Sequence, residues 1–199
     1  MNQLPKIALV GVSRVGKDTV AELLKQQFKS KGVKFNCLAF GDSVKDTLHA
    51  TATTLQRDPK PISTYVEYAQ FMRSIDPNIW IKHLEKKYWK MRELTWSDDF
   101  IVTDCRQMNE AKWLKDRGFI IIKVSASIEV RQERSMSLGE TTMEEISDAE
   151  REINSIPHDF TIFNNGSIKE LQKQVEVAVD LVETMIKIEQ TKKGRISHI

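Results

Sequence analysis

The chain has little of what secreted or membrane-bound proteins rely on. It carries only two cysteines, Cys37 and Cys105, in 199 residues. Their spacing fits neither a disulfide framework nor a metal site. A reducing, cytoplasmic setting is therefore expected. No apolar run approaches the ~18 residues that a membrane span requires. The opening MNQLPKIALV has neither the apolar region nor the small-residue cleavage site of a secretory signal. No charge of one sign dominates, since 30 basic and 28 acidic residues leave a formal charge of +2. That balance argues against nucleic acid or a membrane surface as a partner. Internal repeats and low-complexity segments are also missing.

What is present fits a soluble α/β domain. Hydrophobic residues make up 40% of the chain and charged residues 29%, enough for a sizeable core. The length fits one domain with room for an insertion. KIALVGV reads as a buried strand that stops at glycine. After it, Val20, Leu23, Leu24 and Phe28 share one helical face, and Gly32 closes the helix. VKFNCLAF is a second strand. GDSVKDTLHATATTL reads as a helix with Asp42 or Ser43 as its N-cap. RDPKPIS, with two prolines, reads as a loop, and helices are predicted over about 64–75 and 78–94.

DFIVTD is a third strand, NEAKWLKDRG a short helix and FIIIKVSA a fourth strand. A helix over about 127–134 leads into the polar stretch SMSLGETTMEEI, which reads as an exposed loop. Ser147 and Glu150 carry the spacing of a capping box for the next helix. DFTIFNNG is a fifth strand. The last helix places Ile168, Leu171, Val175, Ala178, Val182 and Met185 at spacings of three and four. TKKGRISHI is expected to be a frayed tail. The long apolar face of this helix fits both packing on its own domain and pairing with a second copy. Alternating strands and helices predict a parallel sheet covered on both faces, with ligands beyond the carboxyl ends of the strands.

The motifs converge on those ends. GVSRVGKD, from Gly11 through Ser13, Arg14, Val15 and Gly16 to Lys17 and Asp18, has the G-x-x-x-x-G-K spacing of a phosphate loop between a strand and a helix. Such a loop turns backbone N–H groups and a helix N-terminus toward an anion. Lys17 would reach the outer phosphates. Asp18 stands where a Ser or Thr hydroxyl usually ligates Mg²⁺, and a carboxylate can take that ion directly or through water. Thr19 offers a hydroxyl one residue later. Asp104, at the end of FIVTD, is placed to anchor Mg²⁺ or to activate an acceptor. Arg131 and Arg134, three apart before the polar loop, suit a lid that neutralises a transferring phosphoryl group. Arg73 and Arg106 could hold an acceptor phosphate. The histidines show no ligand spacing, and the tryptophans read first as packing residues.

Taken in order, GVSRVGKDTV, FGDSVKDTL, FMRSIDPNIWIKHL, IVTDCRQMNEAKWLKDRGFIIIKV and HDFTIFNNGS resemble deoxynucleoside monophosphate kinases of bacteriophage type. The layout is also similar to animal-type phosphomevalonate kinase. The likeness runs from residue 6 to about 182. It implies a P-loop NTPase three-layer sandwich of the nucleoside-monophosphate-kinase kind, with a five-stranded parallel sheet. One kinase domain would span 1–199, with acceptor-binding helices at about 42–96 and a lid at about 135–147. ATP would sit on residues 11–19 with Mg²⁺ at Asp18 and Asp104, and Asn164 and Gly166 would lie near the adenine. A small-molecule nucleotide would be the acceptor, in a site drawing on Asp42, Lys45, Arg73, Trp80 and Arg106. Arg131 and Arg134 would clamp the transfer. DPNIW favours the deoxynucleotide group. STYVEYAQFMR lacks the glycine expected before its arginine, and DCRQ has one arginine where the mevalonate group tends to have two. A non-nucleotide phosphate acceptor, and a nucleotide-binding protein without turnover, remain the two alternatives.

Overall fold

The computed structural model describes residues 5–55, 62–138 and 148–196, with backbone alone at 62, 148–150 and 193–196. The predicted apolar stretches form the strands β1 (Lys6–Val10), β2 (Asn36–Leu38), β3 (Phe100–Cys105), β4 (Ile120–Ser125) and β5 (Phe160–Phe163). They make a five-stranded parallel sheet in the order β2-β3-β1-β4-β5. The fold is the α/β P-loop kinase fold. β1 is central, and Ala8 has Val102 of β3 on one side and Ile121 of β4 on the other. Ile7 to Val10, Phe100 to Val102, and Ile121 and Ile122 are all buried. Such continuous burial belongs to parallel strands with both faces covered. VKFNCLAF yields only three strand residues, because the chain enters a helix at Phe40.

The chain divides into two compact units, one formed by 1–37 and 97–199 and the other by 38–96. In the first unit, α1 (Lys17–Ser30) buries Val20, Ala21, Leu24 and Phe28. Leu23 is half-buried beside that stripe. Phe28 meets Phe35 edge-on at 5.3 Å. α5 (Met108–Asp116), α6 (Ile128–Ser137) and α7 (Asp148–Ser155) follow. Ser147, the expected cap of α7, and 139–147 of the expected lid lie outside the described residues.

α8 (Ile168–Ile196) buries Leu171, Val175, Ala178, Val179 and Val182. Ile168 is exposed rather than part of that face, and Met185 is half-buried. Helix continues to Ile196 where a frayed tail was expected. Once a helix is anchored by packed turns, each further residue adds a hydrogen bond without a new nucleation cost. At the sheet edge, the side-chain amide of Gln174 accepts from the Phe163 N–H at 2.9 Å and donates to the Phe163 carbonyl at 2.6 Å.

The second unit is helical, with α2 (Phe40–Thr51), α3 (Ile62–Ile75) and α4 (Ile79–Thr95). α2 is capped at Ala39, not at Asp42 or Ser43. Phe40 and Val44 are both buried, so burial of this i, i+4 pair draws the helix start back by a turn. Asp42 then lies in the first turn, where the helix dipole favours a carboxylate. Trp80, Ile81, Leu84 and Tyr88 form the buried stripe of α4. His49 Nε2 and Tyr65 Oη lie 2.7 Å apart between α2 and α3, and the indole N–H of Trp80 donates to the Ala69 carbonyl at 3.2 Å. Lys87 pairs with Asp46 at 2.8 Å. Residues 57–61 of the proline-bearing segment lie outside the described residues.

Candidate active site

The loop between β1 and α1 is tight because two glycines permit it. Gly11 has φ +157°, and a Cβ there would stand 2.4 Å from the Val124 carbonyl oxygen of neighbouring β4. Gly16 has φ +89°, and its Cβ would stand 2.3 Å from Nδ2 of Asn164. Neither position admits a side chain without a shift of its surroundings. Val15 is buried and roots the loop in the core. Ser13 and Thr19 are exposed, and Arg14 takes a left-handed φ of 63°.

Five successive loop carbonyls accept hydrogen bonds from side chains. Lys17 Nζ donates to Gly11 at 2.7 Å and to Val12 at 2.9 Å. Arg131 Nε, from α6, donates to Ser13 at 2.9 Å. Arg134 Nη1 donates to Arg14 at 3.1 Å. Asn164 Nδ2, just past β5, donates to Val15 at 2.9 Å. A planar trans peptide points the next N–H opposite its carbonyl. Pinning each carbonyl therefore fixes the direction of the following residue's N–H, and fixed N–H groups are what such a loop offers an anion.

Lys17 is the electrostatic centre. Burial is the main cause that pulls its ammonium from 10.5 down to about 8, with Arg106 and more weakly Arg131 acting in the same direction. Asp104 and Asp18 oppose them. The predicted residues Asp18, Asp104, Arg106 and Arg131 thus all act on Lys17, and Arg134 and Asn164 reach the same loop through its carbonyls. Asp18 is exposed in the first turn of α1, and Asp104 is half-buried near the end of β3. Among the described residues, no group of three or more His, Cys, Asp or Glu could hold a metal unaided. Two carboxylates beside a phosphate loop fit an Mg²⁺ that takes its remaining oxygens from phosphate and water.

Several side chains differ from expectation or were missed. Asn164, expected near adenine, is buried and donates its amide to the loop carbonyl of Val15. Gly166 precedes the cap of α8, where the Glu170 carboxylate accepts from Ser167 N–H and Oγ at 2.7 and 2.8 Å. Buried Glu110 went unrecognised. Its carboxylate accepts from the N–H groups of Arg106 and Gln107 at 2.8 and 3.1 Å, fixing the turn directly after Asp104. The polar residue three before a glutamate, Gln107, was the available signal. Cys105 is buried, and burial pushes its thiol well above the ordinary range, so it is no nucleophile.

The residues expected at the acceptor are described within their own unit. Asp42 and Lys45 form an exposed pair at 3.3 Å. Arg73 is half-buried in the last turn of α3. Trp80 is 1% exposed with its N–H satisfied, a packing residue of α4 rather than a ligand-facing one.

Solved structures resemble the chain in fold. TT1252 from Thermus thermophilus is 18% identical over 89% of this chain and 98% of its own, with a TM-score of 0.53. A sugar kinase from Janibacter sp. HTCC2649 is 14% identical over 89% and 95%, at 0.52. A gluconokinase from Sinorhizobium meliloti 1021 is 15% identical over 93% and 97%, at 0.50. No curated protein matches the chain. The sequence profile of the AAA domain family matches residues 7–154, a span holding the phosphate loop, Asp104 and both arginines of α6, and the chain belongs to that family.

Proposed function

We propose that the protein transfers the γ-phosphoryl group of ATP to a deoxynucleoside monophosphate, giving the diphosphate and ADP. The observation that carries this reading is the convergence of Lys17, Asp18, Asp104, Arg106 and Arg131 on one phosphate loop. Phosphoryl transfer asks little covalent work of a protein, and positioning with charge neutralisation supplies the rate. The loop N–H groups hold the phosphates, and Lys17 moves charge onto the outer ones. Arg106 binds the acceptor's phosphate, which the fork of arginine matches. Asp104 accepts a hydrogen bond from, or orients, the attacking group. Asp18 and Asp104 would hold Mg²⁺, which would supply neutralisation of phosphate charge. A reducing, cytoplasmic setting is part of the same reading and accords with two free cysteines.

The test is ADP release from Mg·ATP with each of dAMP, dGMP, dCMP, dTMP, dUMP, their ribose counterparts, 5-hydroxymethyl-dCMP and phosphomevalonate. Turnover with deoxynucleotides supports the reading and fixes the base. Turnover with phosphomevalonate alone replaces the acceptor. ATP binding without turnover on any acceptor rejects it in favour of a non-catalytic nucleotide-binding protein.

A further inference from the structure

We infer that Asn164 and Arg134 are positioning residues that form one latch behind the phosphate loop, and that Arg134 is not a clamp on the transferring group. The inference rests on the ATP-binding part of the proposed function. Arg134 spends both ends of its fork on main chain, with Nη1 on the Arg14 carbonyl at 3.1 Å and Nη2 on the Asn164 carbonyl at 2.9 Å. Asn164 in turn donates Nδ2 to the Val15 carbonyl at 2.9 Å, and its own N–H donates to Ser125 of β4 at 2.7 Å. The chain of bonds runs from the sheet through Asn164 to Val15, and through Arg134 to Arg14. Asn164 is buried, so its bond to Val15 is shielded from water, while Arg134 is half-buried and its two bonds are partly shielded.

The chemistry of the donors suits the task. A guanidinium has a rigid fork of donors and no acceptor, so one side chain can bridge two main-chain carbonyls. A carboxamide supplies the matching donor to Val15. With the carbonyls of Arg14 and Val15 fixed, the N–H groups of Val15 and Gly16 are fixed on the opposite side by peptide planarity. The latch thus sets the part of the loop that an anion would meet. It also explains the steric demand on Gly16, whose missing Cβ leaves the space occupied by the Asn164 amide.

The experiment compares wild type with Asn164→Ala, Asn164→Asp, Arg134→Lys and the Asn164→Ala/Arg134→Lys double variant. Backbone amide exchange at 14–16 is read without nucleotide, and Mg·ADP and Mg·ATP binding by calorimetry. A latch predicts exchange at these amides faster by about 10-fold or more, while β1 and β3 amides keep their protection. It also predicts ADP and ATP affinities falling together, by about 10- to 100-fold, and a double variant no worse than the poorer single one, because both act through one network. Asn164→Asp should resemble Asn164→Ala, since it keeps the shape and loses the donor. Unchanged exchange, or an Arg134→Lys variant with full nucleotide affinity and a lowered kcat, overturns the latch. If Asn164→Ala does not fold, Arg134→Lys gives the same readout. A wild type that binds neither nucleotide refutes the proposed function instead, and the exchange data still decide the latch.

Discussion

The ammonium of Lys17 donates to the carbonyl of Gly11 at 2.7 Å, so the last residue of the loop motif is tied to its first. A second bond, to Val12, uses another of its three N–H groups. Phosphate oxygens compete with these carbonyls for the same charge. Lys17→Ala removes both the closure and the cation. Its kcat/KM for ATP should fall by on the order of 10²–10³ or more, as when a preorganised charge stabiliser is lost. Steady-state kinetics beside circular dichroism would separate this from unfolding.

The lowered affinity of Lys17 for its proton gives opposite pH effects on folding and on binding. The unfolded chain holds this proton up to about 10.5, while the folded protein releases it near 8. Between those values the unfolded state binds more protons, so this group makes stability rise with pH across that window. Below 8 its contribution is level. Nucleotide phosphates favour the charged lysine, so ATP affinity should fall as pH rises through about 8. Melting temperature and ATP affinity measured from pH 7 to 10, with Lys17→Met as the control lacking the group, should show both trends in wild type only.

Gly16→Ala places a methyl where the Asn164 amide stands and asks alanine to adopt φ +89°. A strained left-handed residue costs on the order of 1–3 kcal/mol. Nucleotide binding should be lost or reduced well beyond what that stability change implies. Asn164→Gly added to Gly16→Ala should restore space but not the backbone preference, so rescue should be partial at most. Denaturant titration with calorimetry checks both.

Trp80 and Trp96 bracket α4 and should behave as opposites. Trp80 is 1% exposed and Trp96 93% exposed. Trp80→Ala should cost about 3–5 kcal/mol through the cavity it leaves. Trp96→Ala should change stability by no more than about 0.5 kcal/mol. Urea melts of the two variants would show the contrast.

Glu110→Ala strips the acceptor from two N–H groups at the turn after Asp104. Full burial of an unpaired donor costs about 1–3 kcal/mol, and these part-buried donors should cost toward the low end of that range. Glu110→Gln keeps one acceptor oxygen and should recover much of that loss. On the proposed function, the acceptor KM should rise more than the ATP KM, because Arg106 is the residue directed by this turn.

The parts of the molecule written in local periodicity were legible in the sequence. Ile7–Val10 and Ile120–Ile122 announce buried strands by composition, and the glycine spacing around Lys17 announces the loop between strand and helix. What escaped was long-range. Nothing near Asn164 signals that its amide reaches back to Val15, 149 residues earlier in the chain. Arg131 and Arg134 could be placed on one helix face from their spacing, but not against loop carbonyls rather than a ligand. Trp80 carried a family-based expectation of acceptor contact that the packing of α4 overrides, because burying an indole of that size outweighs leaving it at a surface. The start of α2 was misplaced because burial of Phe40 overrode the capping preference of Asp42 and Ser43.

Gln174 offers the outermost strand the same pair of hydrogen bonds that a sixth strand would bring at Phe163. One helix side chain thus satisfies the position where another chain could begin to pair. A foreign strand would have to displace that amide before adding itself to the sheet. Gln174 therefore occupies, at one residue of the edge strand β5, the pairing position that a foreign strand would use.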